Sequence, residues 1–254
     1  MPRTRNIYDP KLNADPANPY KLSRSKIELF IKSPHLFYMD RRMGISLPGM
    51  PAFTLNSAVD HLLKTEFDEY RSQQKPHPLM TKYKIDAVPF QHDNMDTWRE
   101  NFEGVQFHHQ ATNFLLTGAV DDIWINPQEE LYVVDYKSTC TEKELSLDDE
   151  YKQAYKRQAE IYQWLLRQNG FTVHPTAYFV FANGDKSKGR FTNKSGTTGN
   201  LSFHMSILSH EGDDSWIEQT LLDIKACLDA PKPPPLRPED TEELSKYLQE
   251  LEEL

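Results

Sequence analysis

Two aspartates and a lysine near the middle of the chain form a pattern that suits chemistry on a phosphate group. Asp121 opens one apolar segment, and Asp135 and Lys137 lie two positions apart in the next, LYVVDYKST. Because side chains alternate across a β-strand, Asp135 and Lys137 would project from the same face. Carboxylates bind hard divalent cations, and an ammonium group offsets charge that develops on a phosphate. The three residues therefore suit metal-dependent phosphodiester hydrolysis, with an ion pair closing an ordinary hairpin as the alternative.

The elements that must position these residues predict a mixed α/β protein. Strands are predicted in residues 101–125, 131–139, 176–183 and 201–208, and helices from Ser23 or Ser25 to Ser33 and in residues 55–72, 149–168, 215–230 and 242–254. This order of elements predicts a central mixed sheet flanked by helices. Residues 1–20 are predicted to form an extended arm, residues 21–230 the main domain, and residues 231–254 a Pro-rich linker and an acidic helix.

Composition excludes several classes of protein. Two cysteines without a CxxC motif exclude a disulfide framework, a Cys-rich zinc site and an iron–sulfur cluster, and they indicate a reducing, cytoplasmic setting. No apolar segment approaches the roughly 18 residues that a membrane span requires, and the N-terminus lacks the apolar core of a secretory signal. A net charge of −9 argues against coating nucleic acid by bulk electrostatics. This acidic balance favours a protein that works with a basic partner protein, or that acts on processed nucleic-acid ends.

Three motifs in order resemble the PD-(D/E)xK nuclease superfamily, and specifically its RecB-like branch, which includes the CRISPR-associated exonucleases. The segment from Gly118 to Asp121, followed by Asp135-Tyr136-Lys137, is similar to the "G-x-x-D … D-Y-K" of that branch. Gln158 and Tyr162 match its Q-x-x-x-Y motif and share one helix face. The opening segment SRSKIELFIKSPHLFYMDRRMG is also similar, although Ser33 replaces a common cysteine. The C-terminal cysteines of the iron–sulfur members are missing.

The resemblance covers about residues 20–230 and implies a nuclease domain with a restriction-endonuclease-like core. It implies Asp121 and Asp135 as ligands of Mg²⁺ or Mn²⁺, with the Tyr136 backbone lending a carbonyl oxygen. It implies Lys137 as the lysine that activates water, with Gln158 and Tyr162 contacting substrate. These residues would hydrolyse DNA without an iron–sulfur cluster.

A further metal ligand is expected on an early helix, where the family has a histidine or an acid. Asp60 and His61 are the two possibilities. Helical phase favours Asp60, which shares a face with Leu63 and Phe67, whereas His61 is expected on the side of Lys64 and Asp68. Both side chains could instead be solvated polar residues, so the choice stays open here.

The expected substrate is single- or double-stranded DNA, and a helicase or another nucleic-acid-processing protein is among the expected partners. Lys186, Lys188, Arg190 and Lys194 fall in one polar loop and could hold a phosphate backbone, or could form an ordinary solvated surface. Two other functions remain open: a nuclease-fold DNA-binding or scaffold subunit without turnover, and a metal-dependent RNA nuclease.

Overall fold

The computed structural model of the protein describes residues 6–45, 54–187 and 189–241. Contacts divide the chain into two compact units, one of residues 1–50, 106–117 and 215–254 and the other of residues 51–105 and 118–214. The predicted C-terminal helix, residues 242–254, lies outside the described residues. Within the described ranges, every helix is too short or too polar to span a lipid bilayer.

The elements are, in chain order, β1 (Tyr20–Ser23), α1 (Arg24–Lys32), α2 (Pro34–Arg41), α3 (Thr54–Gln73), α4 (Pro78–Lys82), β2 (Val88–Pro89), α5 (Met95–Arg99), β3 (Val105–His109), β4 (Phe114–Gly118), β5 (Asp122–Ile125), β6 (Leu131–Thr139), a 3₁₀ turn (Glu150–Lys152), α6 (Gln153–Gln168), β7 (Thr176–Asp185), β8 (Ser202–Glu211) and α7 (Ile217–Asp229).

The first unit combines a three-stranded sheet of order β1-β4-β3 with α1, α2 and α7. Its predicted helix boundary at Ser33 is confirmed. The Ser33 hydroxyl accepts a hydrogen bond from the Leu36 amide (3.1 Å) and caps α2, and Pro34, which lacks an amide hydrogen, begins the helix. In the predicted arm, residues 10–18 form turns, while Tyr8 is buried and donates a hydrogen bond to Asp229 (2.7 Å).

The second unit is built on a five-stranded mixed sheet of order β2-β5-β6-β7-β8. Strand β6 pairs in parallel with β7 and antiparallel with β5, and β8 pairs antiparallel with β7. Helices α3 and α6 both pack on β6. The predicted helix over residues 149–168 begins as the 3₁₀ turn and continues as α6. The predicted α/β class, with a mixed sheet flanked by helices, is confirmed.

The two faces of β6 contact different helices, as the predicted alternation requires. On one face Val134 and Tyr136 join a buried apolar cluster with Phe67 of α3 and with Trp124, whose ring stacks on Phe67 at 5.6 Å between centroids. On the other face Asp135 contacts α6. The apolar cluster therefore fixes the strand from one side and leaves the acidic side chain on the other.

A fully buried carboxylate, Asp122, connects four elements of the second unit. Its oxygens accept hydrogen bonds from the Tyr136 hydroxyl of β6 (2.6 Å), from Arg99 of α5 (3.1 Å) and from Arg71 of α3. Arg99 also pairs with Asp68 at 2.9 Å. Burial disfavours the charged form of Asp68, but the two guanidinium groups outweigh it and lower the pKa of that carboxyl. The two guanidinium groups and the carboxylates of Asp68 and Asp122 thus neutralise one another inside the second unit.

Replacement of Asp122 by alanine should strongly destabilise the protein, because it removes the buried carboxylate that a buried phenol and two largely buried guanidinium groups share. We expect Asp122→Ala to lower the free energy of unfolding by about 3–5 kcal/mol, measured by urea denaturation. Asp93→Ala, which removes an exposed carboxylate of the same unit, should change it by less than about 0.5 kcal/mol. Equal effects of the two substitutions would contradict this role of Asp122.

Candidate active site

Strand pairing brings Asp121 beside the acidic face of β6. Asp121 lies immediately before β5, whose first residue, Asp122, pairs with Val134. In this register the Tyr136 amide donates a hydrogen bond to Asp121 Oδ2 (2.9 Å). The carboxylate of Asp121 is therefore held by the peptide that directly follows Asp135. Two acidic residues 14 positions apart in sequence meet at one point of the sheet.

Lys137 lies on the same face of β6 as Asp135 and forms an ion pair with it. Its Nζ atom also lies 4.6 Å from the centroid of the Tyr155 ring on α6. Burial by itself disfavours the charged form of the amine. The carboxylates of Asp135 and Asp121 outweigh that penalty and raise the pKa of Lys137 above its ordinary value. At neutral pH Lys137 is therefore an ammonium ion.

Gln158 and Tyr162 lie one turn apart on α6 and meet Asp135 from the helix side. Gln158 Nε2 donates to Asp135 Oδ1 (2.9 Å) and to the Tyr162 hydroxyl (3.1 Å). The side-chain amide thereby orients the fully buried carboxylate of Asp135. The shared helix face expected for Gln158 and Tyr162 is present, and it faces Asp135 of β6.

On α3, Lys64 connects Asp60 to Asp121. Its Nζ atom lies 2.8 Å from Asp60 Oδ2 and 3.3 Å from Asp121 Oδ1. Burial, together with the negative charge of Asp121, raises the pKa of Asp60. His61 is exposed. Lys64 is three residues after His61 and four after Asp60, and its ammonium group pairs with Asp60.

Sequence reasoning missed two basic residues that shape the site, Lys64 and Arg99. Arg99 donates from Nε to the backbone oxygen of Asp121 (3.0 Å) and so joins the site to the buried Asp122 network. The only local signal for Lys64 was its i, i+4 spacing from Asp60. Nothing in the sequence marks Arg99, which reaches Asp121 across 22 positions of the chain.

Among the described residues of the loop that is expected to bind phosphate, Lys186, Arg190 and Lys194 are exposed. Lys186 is exposed and lies 3.4 Å from Glu142, and Arg190 is exposed in the polar loop after β7. Lys188 lies outside the described residues.

The donor groups at this site fit a hard divalent cation. Asp121 and Asp135 supply carboxylate oxygens, and Mg²⁺ is commonly held by one or two carboxylates together with water and substrate phosphate. Among the described residues, no three His, Cys, Asp or Glu side chains converge closely enough to form a protein-only cage. Asp60 meets Asp121 through Lys64, so a positive charge already balances this pair of carboxylates.

Gly118, the glycine of the first motif, allows Tyr162 to pack against the chain. A Cβ atom at position 118 would lie 2.7 Å from Cε1 of Tyr162, closer than carbon atoms approach, and 3.0 Å from Cδ1 of Leu165, which is a tight contact. The glycine thus makes room for the α6 side chain that hydrogen-bonds Gln158.

Gly118→Ala should therefore displace Tyr162, and we expect it to lower the free energy of unfolding by about 1–3 kcal/mol because the site is overpacked. Urea denaturation of Gly118→Ala, Tyr162→Ala and the double variant measures the coupling, since removal of the ring should relieve the clash. Gly184→Ala is the matched control, because its added Cβ would meet only ordinary contacts at 3.5 Å. Additive effects of Gly118→Ala and Tyr162→Ala would contradict the contact.

Comparison with known proteins places the chain in a family. A sequence model described as the PD-(D/E)XK nuclease superfamily matches residues 54–254, which include both aspartates, the lysine and all of α6. No curated protein sequence matches the chain. Nucleases of this superfamily generally use divalent metal ions. With the match extending over more than half of its length, the chain belongs to the PD-(D/E)XK nuclease superfamily.

Proposed function

We propose that the protein is a DNA nuclease of the RecB-like branch that hydrolyses phosphodiester bonds with Mg²⁺ or Mn²⁺. The observation that carries this proposal is the meeting of Asp121, Asp135 and Lys137 at one point of the sheet, with Gln158 on Asp135. Metal-dependent phosphodiester hydrolysis requires carboxylates to hold the cation and a positive group near the phosphate.

Asp121 and Asp135 would hold the metal, and the Tyr136 carbonyl oxygen and Asp60 are the further ligands that we propose. Asp60 is preferred to His61 because Lys64 ties its carboxylate to Asp121, whereas His61 is exposed. A divalent ion bound here supplies Lewis acidity to the phosphate and lowers the pKa of a water molecule.

Lys137 would act through its charge. The carboxylates of Asp135 and Asp121 raise the pKa of Lys137, so Nζ carries a positive charge at neutral pH while it faces them. It can donate hydrogen bonds to the attacking water or to a phosphate oxygen, and it stabilises negative charge there in a largely buried setting. The Tyr155 ring and Asp135 restrict where the ammonium group can lie.

Gln158 and Tyr162 would orient both the substrate and the carboxylate of Asp135. The Gln158 amide supports the carboxylate at Oδ1, and the Tyr162 hydroxyl can turn toward a phosphate oxygen. Lys186, Lys188 and Arg190 are proposed as more distant contacts to the DNA backbone, because positive side chains displace counterions from phosphates.

The acidic balance of the chain and its two cysteines support the remaining proposals. A net charge of −9 fits cooperation with a basic nucleic-acid-processing protein such as a helicase. Two cysteines, one exposed and one buried, fit a cluster-free enzyme in a reducing cytoplasm. The presence of Asp121, Asp135 and Lys137 together supports an active enzyme over a scaffold without turnover.

An end-labelled cleavage assay tests the proposal. Wild-type protein should cleave single-stranded or duplex DNA with Mg²⁺ or Mn²⁺ and not with EDTA, and RNA of the same sequence should be cut much more slowly. Lys137→Met should reduce the rate about 100-fold or more, as removal of one preorganised charge commonly does. Lys75→Met, an exposed lysine of the same unit, should retain full activity. Binding of DNA without cleavage under either metal would favour the scaffold function, and faster cleavage of RNA would favour an RNA nuclease.

Calorimetric titration with Mn²⁺ tests the ligands separately from activity. Asp135→Asn should weaken binding at least tenfold, roughly 1.4 kcal/mol, because it removes a charged ligand. Lys64→Met should lower the Kd roughly tenfold, since an ammonium ion held against Asp60 and Asp121 competes with another cation for the same charge. Lys75→Met is the control for loss of one positive charge. Weaker Mn²⁺ binding in Lys64→Met would contradict the competition.

A further inference from the structure

The polar loop between β7 and β8 contains a cationic hairpin, residues 189–200, called here the basic hairpin. It carries Arg190 and Lys194 and no acidic residue, in a chain whose net charge is −9. Both side chains are exposed. Lys186, just before the hairpin, lies 3.4 Å from the exposed Glu142, a kind of surface contact that contributes little in water. The hairpin therefore has a net positive charge in a protein that is acidic as a whole.

The basic hairpin has a defined backbone. The Asn193 amide donates to the Thr198 oxygen (2.8 Å), and the Asn200 amide donates to the Phe191 oxygen (2.9 Å). Thr192 and Gly199 form an antiparallel bridge between its two arms. At the tip, Asn193 Oδ1 accepts a hydrogen bond from the Thr197 amide (3.0 Å). These bonds define the path of the hairpin backbone.

Phe191 is exposed but held in place. The residue is 68% exposed, yet the ring lies over Gly199, where a Cβ atom would come within 2.5 Å of Phe191 Cε1. The glycine thus supports one part of the ring and leaves the rest open. An aromatic ring presented among positive side chains is the arrangement that proteins use to stack unpaired nucleobases.

Strand topology places the basic hairpin at the active-site edge of the sheet. Strands β6 and β7 are parallel, so their carboxyl ends lie at the same edge, and Lys137 pairs with Phe181. Strand β7 ends four residues later at Asp185, about 13 Å further along at the usual rise of a strand. The Asn183 side chain binds the backbone of Thr141, which follows β6, at 2.9 and 3.0 Å. A strand of nucleic acid leaving the catalytic residues in this direction would meet the hairpin.

We propose that the basic hairpin binds single-stranded DNA next to the cleavage site. Phe191 stacks on an unpaired base, and Arg190 and Lys194 contact the neighbouring phosphates. The inference rests on the proposed nuclease function and adds a substrate class to it. In a duplex each base is already stacked and paired, so Phe191 gains no partner there, and single-stranded DNA is preferred.

Fluorescence anisotropy in EDTA, where cleavage cannot proceed, measures this preference directly. The probes are a labelled oligothymidine of about 20 nucleotides and a duplex of equal length. Phe191→Ala should weaken binding to the single strand about tenfold and binding to the duplex less than about twofold. Phe191→Trp should retain the affinity, and Phe102→Ala, which removes another exposed phenylalanine of the same unit (62% exposed), should leave it unchanged. Thermal melting verifies that each variant is folded.

The salt dependence tests the phosphate contacts. Arg190→Gln and Lys194→Gln should each reduce the slope of log Kd against log salt by about 0.7 for the single strand, whereas the exposed Lys82→Gln should not. Unchanged single-strand binding by Phe191→Ala, or equal losses for both probes, overturns the inference. If the wild type still cleaves DNA in that case, the nuclease function stands without it. A wild type that neither binds nor cleaves DNA overturns both.

Discussion

The buried carboxylate of Asp122 is the interaction on which the active-site geometry depends. It gathers Arg71, Arg99 and the Tyr136 hydroxyl, and two of these partners also hold the adjacent aspartate. Arg99 binds the backbone oxygen of Asp121, and the amide of Tyr136 binds its carboxylate. A buried ionic network is costly to assemble unless every member is satisfied. The network therefore ties the position of Asp121 to the packing of α3, α5 and β6.

The site itself is a balance of opposite charges at close range. Two lysines from different elements face three carboxylates: Lys137 lies against Asp135, and Lys64 lies between Asp60 and Asp121. Each ammonium group is stabilised by the carboxylates, which raises the pKa of both lysines in spite of burial. Such a site attracts cations through its acids while keeping fixed positive charge for a phosphate. These are the two requirements of metal-dependent phosphodiester hydrolysis.

Much of this arrangement follows from sequence because it depends on local periodicity. Alternation along β6 places Asp135 and Lys137 together, and helical spacing places Gln158 beside Tyr162, as the structure has them. The contributions of Lys64 and Arg99 could not be predicted, because they depend on how α3 and α5 pack against the sheet. The role of Gly118 could not be predicted for the same reason. The motif contains the glycine, but only the tertiary packing shows that the Tyr162 ring lies against it. Local patterns thus identify the chemical groups, and tertiary contacts decide which of them meet.

Anomalous scattering from a crystal of the protein soaked in Mn²⁺ would show whether Asp121 and Asp135 hold the metal ion. We expect an anomalous peak bound by carboxylate oxygens of both Asp121 and Asp135, at the roughly 2.0–2.2 Å typical of small divalent cations on oxygen ligands. We also expect Lys64 to move away from Asp121 when the ion is bound. A peak bound only by other residues, or none at a Mn²⁺ concentration that supports cleavage, would contradict the assignment of these two aspartates as the metal site.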